Sequence, residues 1–278
     1  MSLFEAVVLG IVQGLTEFLP ISSSAHLRIV ASVAGWEDPG AAFTAVSQIG
    51  TELAVLIYFR HDIRVLVGAW GRSIRHPRAP LSPEARMGWL VILGSIPIAV
   101  LGLLFESQID SSARDLRITA AMLIVFGILL GVADRVGARQ REVEDITLRH
   151  GIAYGFAQAL ALIPGVSRSG GTITAGLLLG YRREAAARYA FLLAVPAVLA
   201  SGFYKLTDIG AGTSQPWLPT LLASVVAFGV GFVVIAWLMR YISTRSYMPF
   251  VAYRLVLGVA LLALIASGII DPDAGLIG

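Results

Sequence analysis

Six apolar segments, each long enough to cross a bilayer as a helix, restrict what this chain can fold into. They cover residues 41–59, 87–105, 117–135, 187–206, 217–239 and 250–270. Charged residues make up 14% of the 278 residues, against about 25% in soluble proteins. So little charge cannot cover a water-exposed surface of this size. The sequence therefore predicts an all-α, polytopic integral membrane protein with one membrane domain, residues 1–278.

Two further apolar regions, residues 3–34 and 151–180, are each interrupted by a proline and a run of small polar residues. The prolines are Pro20 and Pro164. Proline ends a helix, and a following serine can begin another. Non-helical backbone at membrane depth must be covered by protein or line a water-filled cavity. We interpret both regions as re-entrant helical hairpins, with two ordinary kinked spans as the alternative.

The two interrupted regions resemble each other. A shift of 145 residues places Gln13 on Gln158 and aligns the serines of the two interruptions without a gap. This indicates an internal duplication with halves near residues 1–145 and 146–278. Each half holds one hairpin and three spans, and three is odd, so the halves should insert with opposite orientations. Such inverted-topology repeats place a site at broken helices between the repeats.

Basic residues are distributed unevenly over the loops. Of the 21, 15 lie in segments 60–86, 135–150, 181–188 and 240–249, whereas the opposite loops hold three, which are Arg114, Arg117 and Lys205. The positive-inside rule places the first set in the cytoplasm. Both termini then face outward, and the two hairpins enter from opposite sides, so that their polar tips can meet.

This distribution also explains the net charge of +3. A basic cytoplasmic face accounts for it better than nucleic-acid binding does. The chain has no cysteine, which excludes disulfides and thiolate metal sites. Segment 61–78 alternates arginine with apolar residues and is interpreted as a helix lying on the membrane surface. We therefore expect a multi-pass protein of the bacterial inner membrane that contacts membrane lipids and no nucleic acid.

The first interruption carries a set of groups suited to catalysis. Gln13 and Glu17 share one helix face, and a carboxylate inside an apolar run is a functional candidate, although an end-of-helix Glu can also reach water. Ser22, Ser23 and His26 follow at once. Carboxylate, imidazole and hydroxyl together supply base, acid and nucleophile. The alternatives are helix capping by the serines and a structural hydrogen bond from the histidine.

The second interruption carries one cation, Arg168. It is the only charged residue between His150 and Tyr181, and glycines and serines surround it. Glycine lets backbone N–H groups approach an anion, and a guanidinium grips phosphate oxygens in pairs. We therefore predict that Arg168 binds an anion; the alternative is an ordinary arginine in a cytoplasmic loop. A second arginine, Arg254, lies within the last span; the sequence leaves open whether it lines the same cavity or pairs with Glu52.

Both interruptions resemble the signatures of one family. Residues 13–26, QGLTEFLPISSSAH, are similar to the first signature of the bacitracin-resistance type undecaprenyl-diphosphatases, and residues 164–172, PGVSRSGGT, to the second. The resemblance implies hydrolysis of undecaprenyl diphosphate to the monophosphate and phosphate, which recycles the lipid carrier of peptidoglycan synthesis and confers bacitracin resistance. It also implies a divalent cation, Mg²⁺ or Ca²⁺, and paired re-entrant hairpins in inverted repeats.

The resemblance also implies roles for individual residues. Glu17 resembles the family's essential acid, His26 its histidine and Arg168 its phosphate-binding arginine. Ser22 and Ser23 resemble the paired serines, one of them a proposed nucleophile. Substrate-binding roles fall to Arg168, Ser167, Ser169, Thr172 and Gln13. Many relatives carry Glu where this chain has Gln13, so Glu17 is expected to be the main metal ligand, with Gln13 a weaker one.

The expected mechanism begins when the diphosphate enters an outward-facing cavity while the prenyl tail stays in lipid. Ser23, with Ser22 as the second candidate, attacks the terminal phosphorus, and His26 and Glu17 handle protons. Attack by water or by His26 is left open. The alternative function is a transporter or flippase of polyprenyl phosphate lipids, because inverted repeats with broken helices are also a transporter plan. The sequence leaves the oligomeric state open, a homo-oligomer included.

Overall fold

The computed structural model describes residues 1–105, 115–206 and 216–272, and this part of the chain is helical without any β-strand. Its α-helices are α1 (Leu3–Thr16), α2 (Ser23–Ala34), α3 (Gly40–Tyr58), α4 (Arg60–Arg75), α5 (Pro83–Leu104), α6 (Leu116–Val136), α7 (Leu148–Ala159), α8 (Arg168–Leu178), α9 (Arg183–Lys205), α10 (Trp217–Thr244) and α11 (Met248–Ala266). Two short 3₁₀ turns, Val143–Asp145 and Leu160–Leu162, complete them. Arg114 lies outside the described residues.

Six of these helices are long and apolar enough to cross a membrane: α3, α5, α6, α9, α10 and α11. They coincide with the six segments predicted from the sequence, which confirms an all-α protein with six candidate spans. Large apolar side chains on their outer faces are exposed, for example Leu221, Val225 and Val233 on α10. An apolar exterior of this kind suits contact with lipid and would be a liability in water.

The two interrupted regions form two pairs of short helices, α1–α2 and α7–α8. The backbone turns sharply at Ser22, with φ 74°, and at Ser167, with φ 72°. Positive φ is uncommon for residues other than glycine, and these two serines are 145 positions apart, as in the sequence alignment of the two regions. Each serine directly precedes the second helix of its pair, so both helices begin at equivalent positions.

Glycines let the first helix of each pair pack closely on a long helix. A Cβ on Gly10 of α1 would lie 2.6 Å from the carbonyl oxygen of Ala223 on α10. A Cβ on Gly155 of α7 would lie 2.5 Å from the carbonyl oxygen of Gly94 on α5. Gly10 and Gly155 are again 145 positions apart. Both helix pairs are therefore seated in the bundle through the same kind of close backbone contact.

Helix α4 differs from its neighbours because it alternates arginine with Val, Leu and Trp and buries only Ala69. It covers most of segment 61–78, which confirms the predicted helix. Its Trp70 packs edge-on against Trp89 of α5, with the ring centroids 5.9 Å apart. The helix thus lies against the bundle along one side and exposes most of its remaining residues.

Candidate active site

The breaks of the two helix pairs meet inside the bundle. Glu17 directly follows α1, and Arg168 is the first residue of α8. Arg168 Nη2 donates a hydrogen bond of 2.5 Å to Glu17 Oε1. Only 4% of the Glu17 side chain and 16% of the Arg168 side chain are exposed. The structure therefore brings together the two charged residues that the sequence singled out separately.

The other carboxylate oxygen of Glu17 accepts a hydrogen bond from a predicted nucleophile. Ser23 Oγ donates to Glu17 Oε2 at 2.6 Å, and Gln13 Nε2 donates to the same oxygen at 2.6 Å. Gln48 of α3 adds a longer contact of 3.5 Å. A carboxylate that already holds a serine proton at hydrogen-bond distance has the geometry of a general base. Gln13 fixes the orientation of that carboxylate.

The remaining polar residues of the two breaks are engaged with backbone or with each other. Ser22 Oγ lies 3.3 Å from Ser24 Oγ. Ser167 Oγ accepts from the Gly170 N–H at 3.1 Å and so caps α8. These contacts make Ser22 and Ser167 elements of the turns.

Two residues of the second signature also make local hydrogen bonds. Ser169 Oγ donates to the carbonyl oxygen of Leu19 at 3.1 Å, which ties α8 to the first break. Thr172 Oγ1 donates to the carbonyl oxygen of Arg168 at 2.7 Å, within α8. The sequence predicted substrate contacts for Ser167, Ser169 and Thr172. In the structure the hydroxyls of Ser167 and Ser169 bond at the start of α8 and to the first break, and that of Thr172 bonds within α8.

His26 lies on α2, one turn after Ser22. Its Nδ1 is 2.7 Å from the carbonyl oxygen of Ser22, so this nitrogen carries a proton. Its Nε2 is 2.7 Å from the hydroxyl of Tyr253 on α11, and the two rings stack with centroids 5.5 Å apart. The structure gives His26 no direct bond to Glu17 or Ser23. Sequence reasoning did not assign a role to Tyr253.

Arg254 is fully buried and connects both breaks to the bundle. Its Nη1 donates to the carbonyl oxygen of Pro20 at 2.9 Å, and its Nη2 donates to that of Gly165 at 2.7 Å. Nε donates to the carbonyl oxygen of Leu123 on α6 at 3.1 Å. All three nitrogens of the guanidinium therefore donate to backbone carbonyls. Arg254 does not pair with Glu52, which was one of the alternatives that the sequence left open.

Comparisons with known proteins place the chain among proteins of one family. Residues 6–260 match the model of the family described as bacitracin resistance protein BacA. The chain is 61% identical to the undecaprenyl-diphosphatase of Thermobifida fusca, over 99% of this chain and 94% of that protein. It is 58% identical to undecaprenyl-diphosphatase 2 of Streptomyces coelicolor, over 99% and 98%, and 61% identical to the undecaprenyl-diphosphatase of Micrococcus luteus, over 98% and 100%.

Proposed function

The chain belongs to the bacitracin resistance protein BacA family, and we propose that it hydrolyses undecaprenyl diphosphate to undecaprenyl phosphate and inorganic phosphate. This reaction would return the lipid carrier to peptidoglycan synthesis and confer resistance to bacitracin. The observation that carries the proposal is the double engagement of Glu17, whose carboxylate holds the Ser23 hydroxyl and the Arg168 guanidinium at once. The proposed nucleophile and the proposed phosphate-binding cation therefore both contact the proposed base.

The proposed reaction starts from the ion pair between Arg168 and Glu17. The diphosphate replaces Glu17 as the partner of the Arg168 guanidinium, whose planar N–H groups can bind two phosphate oxygens. Ser23 Oγ then attacks the terminal phosphorus as its proton passes to Glu17 Oε2. The bond from that phosphorus to the bridging oxygen breaks, and its electron pair stays with the lipid monophosphate. Glu17 passes its proton to the departing lipid monophosphate. Water then attacks the phosphoserine phosphorus, the bond to Ser23 Oγ breaks, and that oxygen recovers a proton from the water as phosphate leaves.

His26 has a supporting role in this scheme. Its ring is fixed between the Ser22 carbonyl and the Tyr253 hydroxyl, at the start of the helix that presents Ser23. We propose that Nε2 of His26 exchanges a proton with the bound diphosphate and that the hydroxyl of Tyr253, a residue that is 44% exposed, orients the ring. Gln13 orients Glu17, and Ser167, Ser169 and Thr172 shape the loop that presents Arg168 to the phosphates.

Glu17 and Gln13 are the residues that would hold a divalent cation, Mg²⁺ or Ca²⁺. The residues present fit such an ion, because Gln13 Oε1 is buried without a hydrogen-bond partner among the described residues and both cations prefer oxygen ligands. No three acidic or histidine side chains cluster in the described segments. Mg²⁺ commonly uses one or two carboxylates together with substrate phosphates. When bound, the cation would offset the negative charge of the diphosphate.

For the membrane arrangement we propose two re-entrant hairpins, α1–α2 and α7–α8, in inverted repeats near residues 1–145 and 146–278. The matching backbone turns at Ser22 and Ser167 and the matching close contacts of Gly10 and Gly155 support the duplication. The arginine-rich loops would face the cytoplasm. The site would then open to the outer side of the bacterial inner membrane.

Phosphate release by the purified full-length chain in detergent tests this proposal. A short-chain prenyl diphosphate serves as substrate, and detergent removes any second compartment. We expect one phosphate for each prenyl monophosphate formed. A well-folded protein that binds the lipid but releases no phosphate would favour the alternative, a carrier of polyprenyl phosphate lipids. Carriage alone gives no reason for Ser23 to donate to Glu17.

A further inference from the structure

A second buried carboxyl group, Glu52, lies beside the site and has no part in the reaction described so far. It sits on α3 with 1% of its surface exposed. Gln48, one turn earlier on the same helix face, reaches Glu17 Oε2 at 3.5 Å. Glu52 Oε1 is buried and lacks a hydrogen-bond partner among the described residues. Helix α3 therefore carries an unsatisfied carboxyl one turn after the residue that contacts Glu17.

The charged side chains that act on Glu52 electrostatically are Arg168 and Glu17. Neither forms a salt bridge with it in the structure: Arg168 pairs with Glu17. Arg254 donates to backbone carbonyls instead. Ionising a buried carboxyl without a partner is costly, and Glu17 adds repulsion. A group that attracts two carboxylates at once would remove this cost.

Two side-chain oxygens on the helices that supply hydrogen bonds to Glu17 are buried and unsatisfied in the described part of the chain: Gln13 Oε1 on α1 and Glu52 Oε1 on α3. Amide and carboxylate oxygens are the ligands that Mg²⁺ and Ca²⁺ prefer. We propose that Glu52 is the second carboxylate ligand of the divalent cation, supplied from α3. The inference rests on the proposed cation site at Glu17.

The proposal also accounts for the charge balance of the site. Glu17 has Arg168 as its counter-ion in the structure. When the diphosphate displaces Glu17 from Arg168, a cation held by Glu17 and Glu52 would replace the positive charge that Glu17 has lost. Gln13 is neutral and contributes no charge. The first helix pair contributes one carboxylate, Glu17, and α3 contributes the second, Glu52.

Calcium binding to the full-length protein tests the role of Glu52 without measuring catalysis. We would titrate detergent-purified protein with CaCl₂ by isothermal titration calorimetry, comparing wild type with Glu52→Gln, Glu17→Gln and Glu37→Gln. Glu37 is exposed, so its variant removes the same charge outside the site. Because the affinity of calcium sites follows the number of charged ligands, we expect Kd to rise about tenfold or more in Glu52→Gln and Glu17→Gln. Glu37→Gln should match wild type.

The outcomes separate this inference from the proposed cation site. If Glu17→Gln weakens binding and a monodisperse Glu52→Gln stays within about twofold of wild type, far below that tenfold expectation, Glu52 is not a ligand. If wild type binds no Ca²⁺, both ideas fail. Should Glu52→Gln alter the size-exclusion profile, the double variant Gln13→Glu, Glu52→Gln decides. Recovered affinity supports a second carboxylate at this site, and a folded double variant that still binds weakly overturns it.

Discussion

Arg168 Nη2 and Glu17 Oε1 lie 2.5 Å apart although 151 positions separate the two residues in the chain. This contact joins the two helix pairs at their breaks. It also couples two steps of the proposed reaction. The diphosphate must draw the guanidinium away from Glu17, and the carboxylate is then free to take the Ser23 proton. Substrate binding would thereby activate the nucleophile.

Turnover should depend on the planar N–H donors of the Arg168 guanidinium as well as on its positive charge. Lysine keeps the charge but not the planar pair of donors. One charge-assisted hydrogen bond is worth about 1.5–3 kcal/mol, or one to two powers of ten in rate. We expect Arg168→Lys to lose turnover by that factor and Arg168→Ala to lose nearly all of it, measured as phosphate release in detergent. Arg182→Lys, on an exposed side chain, is the matched control. A Lys variant as active as the control would refute the clamp.

The two neighbouring serines should behave differently. Ser23 donates to Glu17, whereas Ser22 contacts Ser24. Ser23→Ala should reduce kcat by about 10²-fold or more, because it removes the hydroxyl that the base activates. Ser22→Ala removes one neutral contact and should cost less than about tenfold. The reverse order in steady-state kinetics would make Ser22 the nucleophile. Equal and small effects would favour direct attack by water.

Substitutions of His26 and Tyr253 should reduce turnover to different degrees. His26→Ala should reduce turnover by about 10²–10⁴, the usual contribution of a general acid or base. Tyr253→Phe keeps the stacked ring and removes one hydrogen bond, so it should cost at most about tenfold. His61→Ala, on an exposed position of α4, is the control. A His26→Ala enzyme with wild-type kcat would leave the histidine a structural role only.

The proposed orientation can be read from thiol labelling, since the chain has no cysteine. Single cysteines at Ser2 and Arg75 lie at exposed positions near the N-terminus and at the end of α4. An impermeant reagent added to intact cells should label position 2 and leave position 75 unlabelled until the cells are opened. Labelling of position 75 in intact cells, with position 2 protected, would contradict the proposed orientation and indicate the opposite one.

The sequence predicts the six spans and the two breaks well, since both depend on local composition. Long apolar runs require helices, and Pro20 and Pro164 interrupt them. Glu17 and Arg168 also stand out locally, because charge is rare among apolar neighbours. Composition indicates which segments can lie within a membrane. It does not indicate which residue on another helix a side chain contacts.

The contacts between distant segments were therefore harder to predict. The bond from His26 to Tyr253 spans 227 positions, and no periodicity links the two residues. The role of Arg254 could not be predicted either, because its partners are backbone carbonyls, which every residue carries. Gln48 gave a usable signal, as a polar residue inside the segment 41–59, and that signal was overlooked.

Turnover by Glu17→Gln tests the central claim most directly. Glutamine keeps the size of the side chain but cannot take the Ser23 proton or hold Arg168 as a counter-ion. We would measure phosphate release from a short-chain prenyl diphosphate by detergent-purified wild type, Glu17→Gln and the exposed control Glu37→Gln. The account predicts a loss of about 10²–10⁴ for Glu17→Gln, with the control unchanged. A folded Glu17→Gln protein that releases phosphate at the wild-type rate would contradict it.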